Sequence, residues 1–355
     1  MNSNIKGISL FSSAGIGELY LDKLGVGIIL ANEIIKKRAD CYRYLHPQSE
    51  VLHGDIREKK VKDEIKSKIN DDVNLLIATP PCQGLSTLGK NKSQEHFELD
   101  PRNYLIFDTL DIIDFGDFDY ILIENVPRFL KMFFPFEGSL FTLSEILDKK
   151  YSKKYNIDIG VYNAKDYGVP QTRPRAIIKM FKKGKVWKDP VIEQEILLKD
   201  SIGHLPSLDP GESSNIKYHY SRPINDRIKL ALSHTKEGCS ALKNPVHYPK
   251  KSCGNRIKGF HNTYKRMDWN QPSHARTTYS GSVSSHNNVH PGRPKKDGTY
   301  SDPRVLTLLE TLIVSSIPED IDFPDWSTDT FIREIIGESI PPLMMMKFVK
   351  QISNS

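Results

Sequence analysis

Five residues of types that can do chemistry stand at the ends of short apolar runs: Gly15, Glu33, Asp55, Cys82 and Glu124. The first belongs to a turn that opens at Phe11 and runs Ser13-Ala14-Gly15-Ile16-Gly17. Its glycines let the backbone come close to a ligand, as a nucleotide cofactor requires. An acid, Glu33, follows roughly twenty residues on, where this class of fold grips a ribose hydroxyl pair. The next apolar run ends at Asp55, placed to accept from an adenine amino group. Two glycines alone make only a tight turn. The turn and two acids in order point to a bound nucleotide-type cofactor.

The elements that must hold these residues alternate. Strands are expected at Gly7–Ser12, Gly27–Asn32, Val51–Leu52 running to Gly54-Asp55, Asn74–Thr79, Asp119–Glu124 and Arg175–Met180. Helices are expected over Glu18–Leu24, Lys36–Leu45 and Lys60–Ile69. Such alternation indicates an α/β fold, a parallel sheet with helices on both faces, in which ligands sit at the carboxyl ends of the strands. After about Lys183 the pattern weakens, and residues 184–300 are rich in Pro, Gly, Ser, Asn, Lys and His. α/β character returns at Val305–Ser315, and an apolar helix, Pro342–Ile352, ends the chain. The Met344-Met345-Met346 cluster is expected to pack in that helix's core face.

Composition narrows the function classes. Of 355 residues, 38 % are hydrophobic and 26 % charged, as in ordinary globular proteins. No apolar run approaches the ~18 residues of a membrane span, and Met1–Leu10 lacks a secretory leader, so a cytoplasmic location is expected. Four cysteines without a C-x-x-C pair are expected to be free thiols. Cys239 and Cys253 have histidines nearby (His219, His234, His247, His261), but the spacing is too irregular for zinc, and no metal is expected. The net charge of +6 is unevenly spread: Lys179–Tyr300 holds 22 Lys and Arg against 10 Asp and Glu, a surplus of 12 that leaves −6 for the rest. Tyr218, Tyr220, Tyr248, Phe260, Tyr264, Trp269 and Tyr279 are interleaved with these charges. Cations meet phosphates and rings meet bases, so a nucleic acid is the expected partner.

The motifs are more specific. Pro80-Pro81-Cys82-Gln83 followed by Ser86-x-x-Gly89-Lys90 resembles the nucleophile loop of the cytosine-5 DNA methyltransferases. Glu124-Asn125-Val126 resembles their second catalytic element, and Gln171-Thr172-Arg173-Pro174-Arg175 their Q-x-R-x-R element. His290-Pro291, Arg304-x-Leu306-Thr307-x-x-Glu310 and Gly337-Glu338-Ser339-Ile340-Pro341-Pro342 also match, in the family's order, over most of the chain except about 183–260. Ser13 and Ile16 replace glycines of the family's turn. Leu85 stands for Phe, Leu309 for Arg and Glu338 for Asn. No departure removes a catalytic group.

The resemblance implies a Rossmann-like, S-adenosylmethionine-dependent methyltransferase domain, residues 1–183 and 327–355, with a smaller loop-rich target-recognition domain, 184–326. It implies Cys82, Glu124, Arg173 and Arg175 as the catalytic set. It implies Phe11, Gly15, Gly17, Glu33, Asp55, Ile56, Pro80, Glu338 and Ser339 as the cofactor site. Only a thiolate is nucleophilic enough to add to carbon 6 of cytosine and make carbon 5 react. Glu124 would share a proton with ring nitrogen 3 and hold the exocyclic amine. Arg175, supported by Arg173, would stabilise the carbonyl oxygen. The base must be flipped from duplex DNA, which calls for the basic domain. A monomeric prokaryotic modification enzyme, paired with an endonuclease of the same site, is the implied setting. A transfer-RNA methyltransferase lacks support because PCQGLS does not continue as C-F-T. An inactive DNA-binding homologue is disfavoured by the intact Cys82, Glu124 and Arg175, and a dehydrogenase by the absence of G-x-G-x-x-G.

Overall fold

The first strand, β1 (Ile5–Leu10), is buried along almost its whole length and lies between β2 (Val26–Glu33) and β4 (Val73–Ala78). The fold is described from a computed structural model that covers residues 5–81 and 97–353. Outside β2 lies β3 (Glu50–His53), and outside β4 lies β5 (Tyr120–Asn125). These five strands are parallel. Their near-continuous apolar runs follow, because helices cover both faces of such a sheet. Helix α1 (Lys36–Leu45) matches its expected bounds, and α2 (Lys59–Ser67) matches to within two residues. Helix α3 (Ile106–Phe115) has no expected counterpart, because six of its ten residues are apolar and they follow no clean periodicity or capping signal.

Beyond β5 the sheet departs from the all-parallel expectation. A hairpin of β6 (Phe133–Phe136) and β7 (Ser139–Thr142) leads into α4 (Leu143–Tyr151) and then β8 (Tyr155–Asn163). A two-residue strand, β9 (Gln171–Thr172), precedes β10 (Pro174–Lys182), which inserts between β5 and β8 and runs antiparallel to both. Only ten residues join β8 to β10, with a single 3-10 turn (Ala164–Tyr167) and no α-helix among them, too little for a parallel crossover. The order is β3-β2-β1-β4-β5-β10-β8.

The helix expected over Glu18–Leu24 is instead two single 3-10 turns, Ile16–Glu18 and Asp22–Leu24. Gly15 precedes the first in the left-handed region and Gly25 closes the second. Nine residues between two left-handed glycines leave no room for a continuous amphipathic helix, and Glu18 turns inward instead of toward solvent.

The chain forms two compact units. One holds the sheet: residues up to 163, 174–191 and 344 onward. The other holds 164–173 and 192–343. In this second unit regular structure is sparse, and buried arginines serve as the ties. Arg266 donates to the carbonyls of Leu232, His290 and Asp302. Arg276 donates to those of His274 and Asn287 and to Asn288 Oδ1. Arg333 reaches the Leu306 carbonyl, the Thr311 hydroxyl and Asp329. Each guanidinium offers five donors in a fixed fork, so one side chain can satisfy carbonyls that a strand ladder would otherwise have to reach. The Arg304–Glu310 motif is of the same kind. Arg304 pairs with Asp302 and Glu310 at 2.7 Å each, all three buried. Thr307 and Glu310 form a capping box at the start of the helix Leu308–Val314.

Candidate active site

Of the strand-end residues named from the sequence, Glu33 ends β2, Glu124 lies at the carboxyl end of β5, and Gly15 and Asp55 follow the carboxyl ends of β1 and β3, where an α/β sheet keeps its ligands. The turn after β1 is tied to its neighbours by hydrogen bonds. Thr79, just past β4, donates its hydroxyl to the Phe11 carbonyl at 3.0 Å. The Ser13 amide donates to Glu33 Oε2 at 2.9 Å, and the Ile35 amide to Glu33 Oε1 at 2.8 Å. Glu33 thus braces the turn with one lone pair on each oxygen, leaving the others for hydroxyl donors. Asn32, which sequence reasoning missed, is buried and donates to the carbonyls of Leu52 and Gly54 at 3.1 Å each. It fixes the end of β2, and so Glu33, against the end of β3, and so Asp55. Asp55 is paired with Arg57, which holds its carboxyl below the ordinary range. Ile56 is buried in the core, and Ile34, beside Glu33, exposes its apolar side chain.

The turn is packed from behind by α1. Gly15 has φ +74°, and a Cβ there would lie 2.5 Å from His46 Nε2 and 2.8 Å from the Tyr42 ring. Glycine is therefore required at 15 by the protein's own packing as well as by any ligand. His46 Nε2 sits 2.9 Å from the Gly15 carbonyl. Glu18 is buried and receives the hydroxyls of Ser9, at 2.5 Å, and Tyr42. Burial raises its carboxyl above the ordinary range against the opposing pull of His46. No sequence signal marked this role, because an acid after a glycine turn reads as a helix-start residue.

The catalytic candidates divide. Cys82 and the Ser86–Lys90 element lie outside the described residues, and Pro80 is buried immediately before them. The Asn125 amide donates to the Pro80 carbonyl at 3.0 Å, fastening the strand that leads to Cys82 to the end of β5. Glu124, on β5, is paired with Arg175 Nε of β10 at 2.7 Å, and both side chains are nearly buried. The antiparallel register places Glu124 opposite Ile177, so Arg175 reaches across from the next position on the same face. Arg173, expected beside Arg175, belongs to the second unit and is otherwise engaged. It is buried and donates to the carbonyls of Arg276 at 2.8 Å and Gly337 at 2.7 Å. Gly337 has no Cβ because one would meet the Thr277 carbonyl carbon at 2.3 Å. The same unit holds Glu338, exposed at the end of the helix Asp329–Glu338, and Ser339, whose hydroxyl donates to the Ile335 carbonyl. Among the thiols described, Cys41 is buried and pushed up to about 12 by burial, while Cys239 and Cys253 are exposed. Among the described residues, no group of His, Cys, Asp or Glu is arranged to hold a metal ion, and no helix is long and apolar enough to cross a membrane.

A seven-stranded sheet of this order, with its polar residues at the parallel strands' carboxyl ends, defines the class: a Rossmann-like methyltransferase. Solved structures agree in fold. An Entamoeba histolytica methyltransferase superposes with a TM-score of 0.66 at 16 % identity, covering 98 % of both chains. A Spodoptera frugiperda DNMT2 variant gives 0.62 at 15 % identity, covering 98 % of this chain and 99 % of the other. The model of the C-5 cytosine-specific DNA methylases matches residues 5–354, and the chain belongs to that family. It is 42 % identical to the Type II methyltransferase M1.HgaI of Avibacterium volantium over 100 % of this chain and 99 % of that one. It is 27 % identical to M1.HphI of Haemophilus parahaemolyticus over 97 % and 86 %. It is accordingly a DNA methyltransferase.

Proposed function

We propose that the chain transfers a methyl group from S-adenosylmethionine to carbon 5 of a cytosine flipped out of a specific duplex DNA sequence. The observation that carries this reading is the Glu124–Arg175 pair at the end of β5, beside the strand that leads to Cys82. The cofactor would supply an electrophilic sulfonium methyl. Residues toward it fit in type: Glu33 retains acceptor capacity for a ribose, Ile34 offers an apolar face for a flat ring, and the Ser13 hydroxyl is buried with no partner among the described residues.

Cys82, as thiolate, adds to carbon 6 of the cytosine, and the electron pair moves toward carbon 5 and nitrogen 3. Glu124 holds a proton at nitrogen 3 and accepts from the exocyclic amine. Arg175 steadies Glu124 through Nε and stabilises the ring carbonyl oxygen with its remaining donors. After carbon 5 is methylated its proton leaves to water, and the bond to Cys82 breaks. Arg173 acts as a positioning residue: its ties to Arg276 and Gly337 set the loop that carries Arg175 into β10. The basic stretch within 184–326 recognises the DNA, by cations on phosphates and guanine edges. We assign the enzyme to a cytoplasmic restriction–modification pair, acting as a monomer on the sequence its cognate endonuclease cuts.

The test is methyl transfer from labelled S-adenosylmethionine to unmodified duplex DNA, run beside Cys82→Ala. Label recovered as 5-methylcytosine with the wild type and lost in the variant is the expected result. Label on transfer RNA and none on DNA would overturn the assignment of substrate.

A further inference from the structure

Ser13 is anomalous in two ways that point the same direction. Its φ is +49°, in the left-handed region where residues with a Cβ are disfavoured and where the family's turn carries glycine. Its hydroxyl is buried and, among the described residues, has no hydrogen-bond partner. A serine here is therefore worse for the free protein than a glycine on both counts: the backbone is strained, and a polar atom is desolvated without compensation. The surroundings leave the residue no freedom to relax. Its amide is committed to Glu33 Oε2, and Phe11, two positions earlier, is itself left-handed at φ +58°. Gly15, two positions later, is pinned against His46 and Tyr42. Local strain with an unsatisfied polar group is the pattern of a binding site whose missing partner is the ligand.

We propose that Ser13 is a cofactor ligand, its hydroxyl hydrogen-bonding a polar atom of the bound S-adenosylmethionine. The proposal rests on the reading that the turn holds that cofactor. It explains the serine without altering the reaction: the hydroxyl contributes to affinity what a glycine could not, and the cost falls on the stability of the free protein.

The two effects separate under substitution. Ser13→Gly removes both the strain and the orphaned hydroxyl, so the free protein should melt about 1–2 °C higher. The same variant should bind S-adenosylhomocysteine about five- to tenfold more weakly by calorimetry, the value of one net hydrogen bond. Ser13→Ala keeps the Cβ and its strain but lacks the hydroxyl, and should show the same loss of affinity without a rise in melting temperature as large as that of the glycine variant. A purely structural serine would give the opposite sign, with affinity falling only where stability falls. Unchanged affinity in both variants, with the wild type binding normally, would overturn the proposal and leave the cofactor reading intact. Full affinity in Ser13→Ala with weak binding in Ser13→Gly would overturn it too, by assigning the effect to backbone freedom. Failure of the wild type itself to bind S-adenosylhomocysteine would overturn the cofactor reading on which the proposal stands.

Discussion

Glu124→Gln tests the catalytic reading with the least disturbance. The substitution keeps the side chain's size and one oxygen for Arg175 Nε, now 2.7 Å away, while removing the charge and the transferable proton. Both partners are nearly buried, so breaking the pair outright would cost about 3–5 kcal/mol by stranding a guanidinium. Because the amide oxygen still accepts, the expected loss of stability is about 1–3 kcal/mol, or roughly 2–6 °C in Tm. The kinetic effect should be larger. General acid–base assistance is worth about 10²- to 10⁴-fold, and that loss should appear in kcat with little change in the KM for cofactor. Single-turnover methyl transfer on a duplex substrate, with a melting curve of the same preparation, reads both numbers. A variant within about fivefold of wild-type kcat, at any Tm, would refute the assignment of Glu124 to proton transfer.

Three further outcomes are expected. Glu18→Ala strands the hydroxyls of Ser9 and Tyr42 and should raise the KM for cofactor with kcat nearly kept. Glu18→Gln, which keeps an accepting oxygen without the buried charge, should recover most of the loss; equal KM values in all three proteins would reject the bracing role. The second unit should weaken in acid. Burial and Arg304 hold His290 at about 4 against an ordinary 6.5. Burial pushes Glu310 up, but Arg304 and His290 outweigh it and hold it at about 2 against 4.5. Both folded values lie below the unfolded ones, so the stability these groups provide is complete above pH 6.5. It is lost as pH falls from 6.5 toward 4 for His290 and from 4.5 toward 2 for Glu310. A Tm that stays flat from pH 7 to pH 4 would contradict this. Finally, replacing the exposed Lys250 and Lys251 by Ala should reduce the salt dependence of DNA binding by about one counterion per lysine. Arg266→Met should instead lower Tm and leave the salt slope unchanged, and a changed slope would argue against its buried role.

Much of the first unit was legible because its signals are local. Apolar runs of strand length ending in Gly15, Glu33, Asp55 and Glu124 mark strand ends wherever the rest of the chain goes, and α1 falls where its periodicity puts it. The antiparallel placement of β10 was not legible, since an apolar strand carries no mark of its direction; only the short β8–β10 connection reveals it. Arg173 and Arg175 were grouped by the Q-x-R-x-R element they share, yet the chain passes from one unit to the other between them, and Arg173 binds the Arg276 and Gly337 carbonyls while Arg175 pairs with Glu124. The charge surplus was overread for a related reason. Arginine and lysine are expected at the surface, but Lys179, Arg266 and Arg276 are buried, so three of the 22 cations counted between Lys179 and Tyr300 are closed to a polyanion.

Those buried arginines also bear on how the second unit can change its loops. A sheet propagates its register, so an insertion in one strand shifts every pairing beyond it. In the second unit the order is held by a few fixed points, each a guanidinium gathering carbonyls from segments far apart in sequence. Chain between two such points can lengthen, shorten or be rewritten while the points stay where they are. The anchors Arg173, Arg266, Arg276, Arg304 and Arg333 are then a fixed frame, and, on the proposed reading that this unit recognises the DNA, the exposed loops strung between them are free to drift toward a new target sequence without the domain having to fold anew.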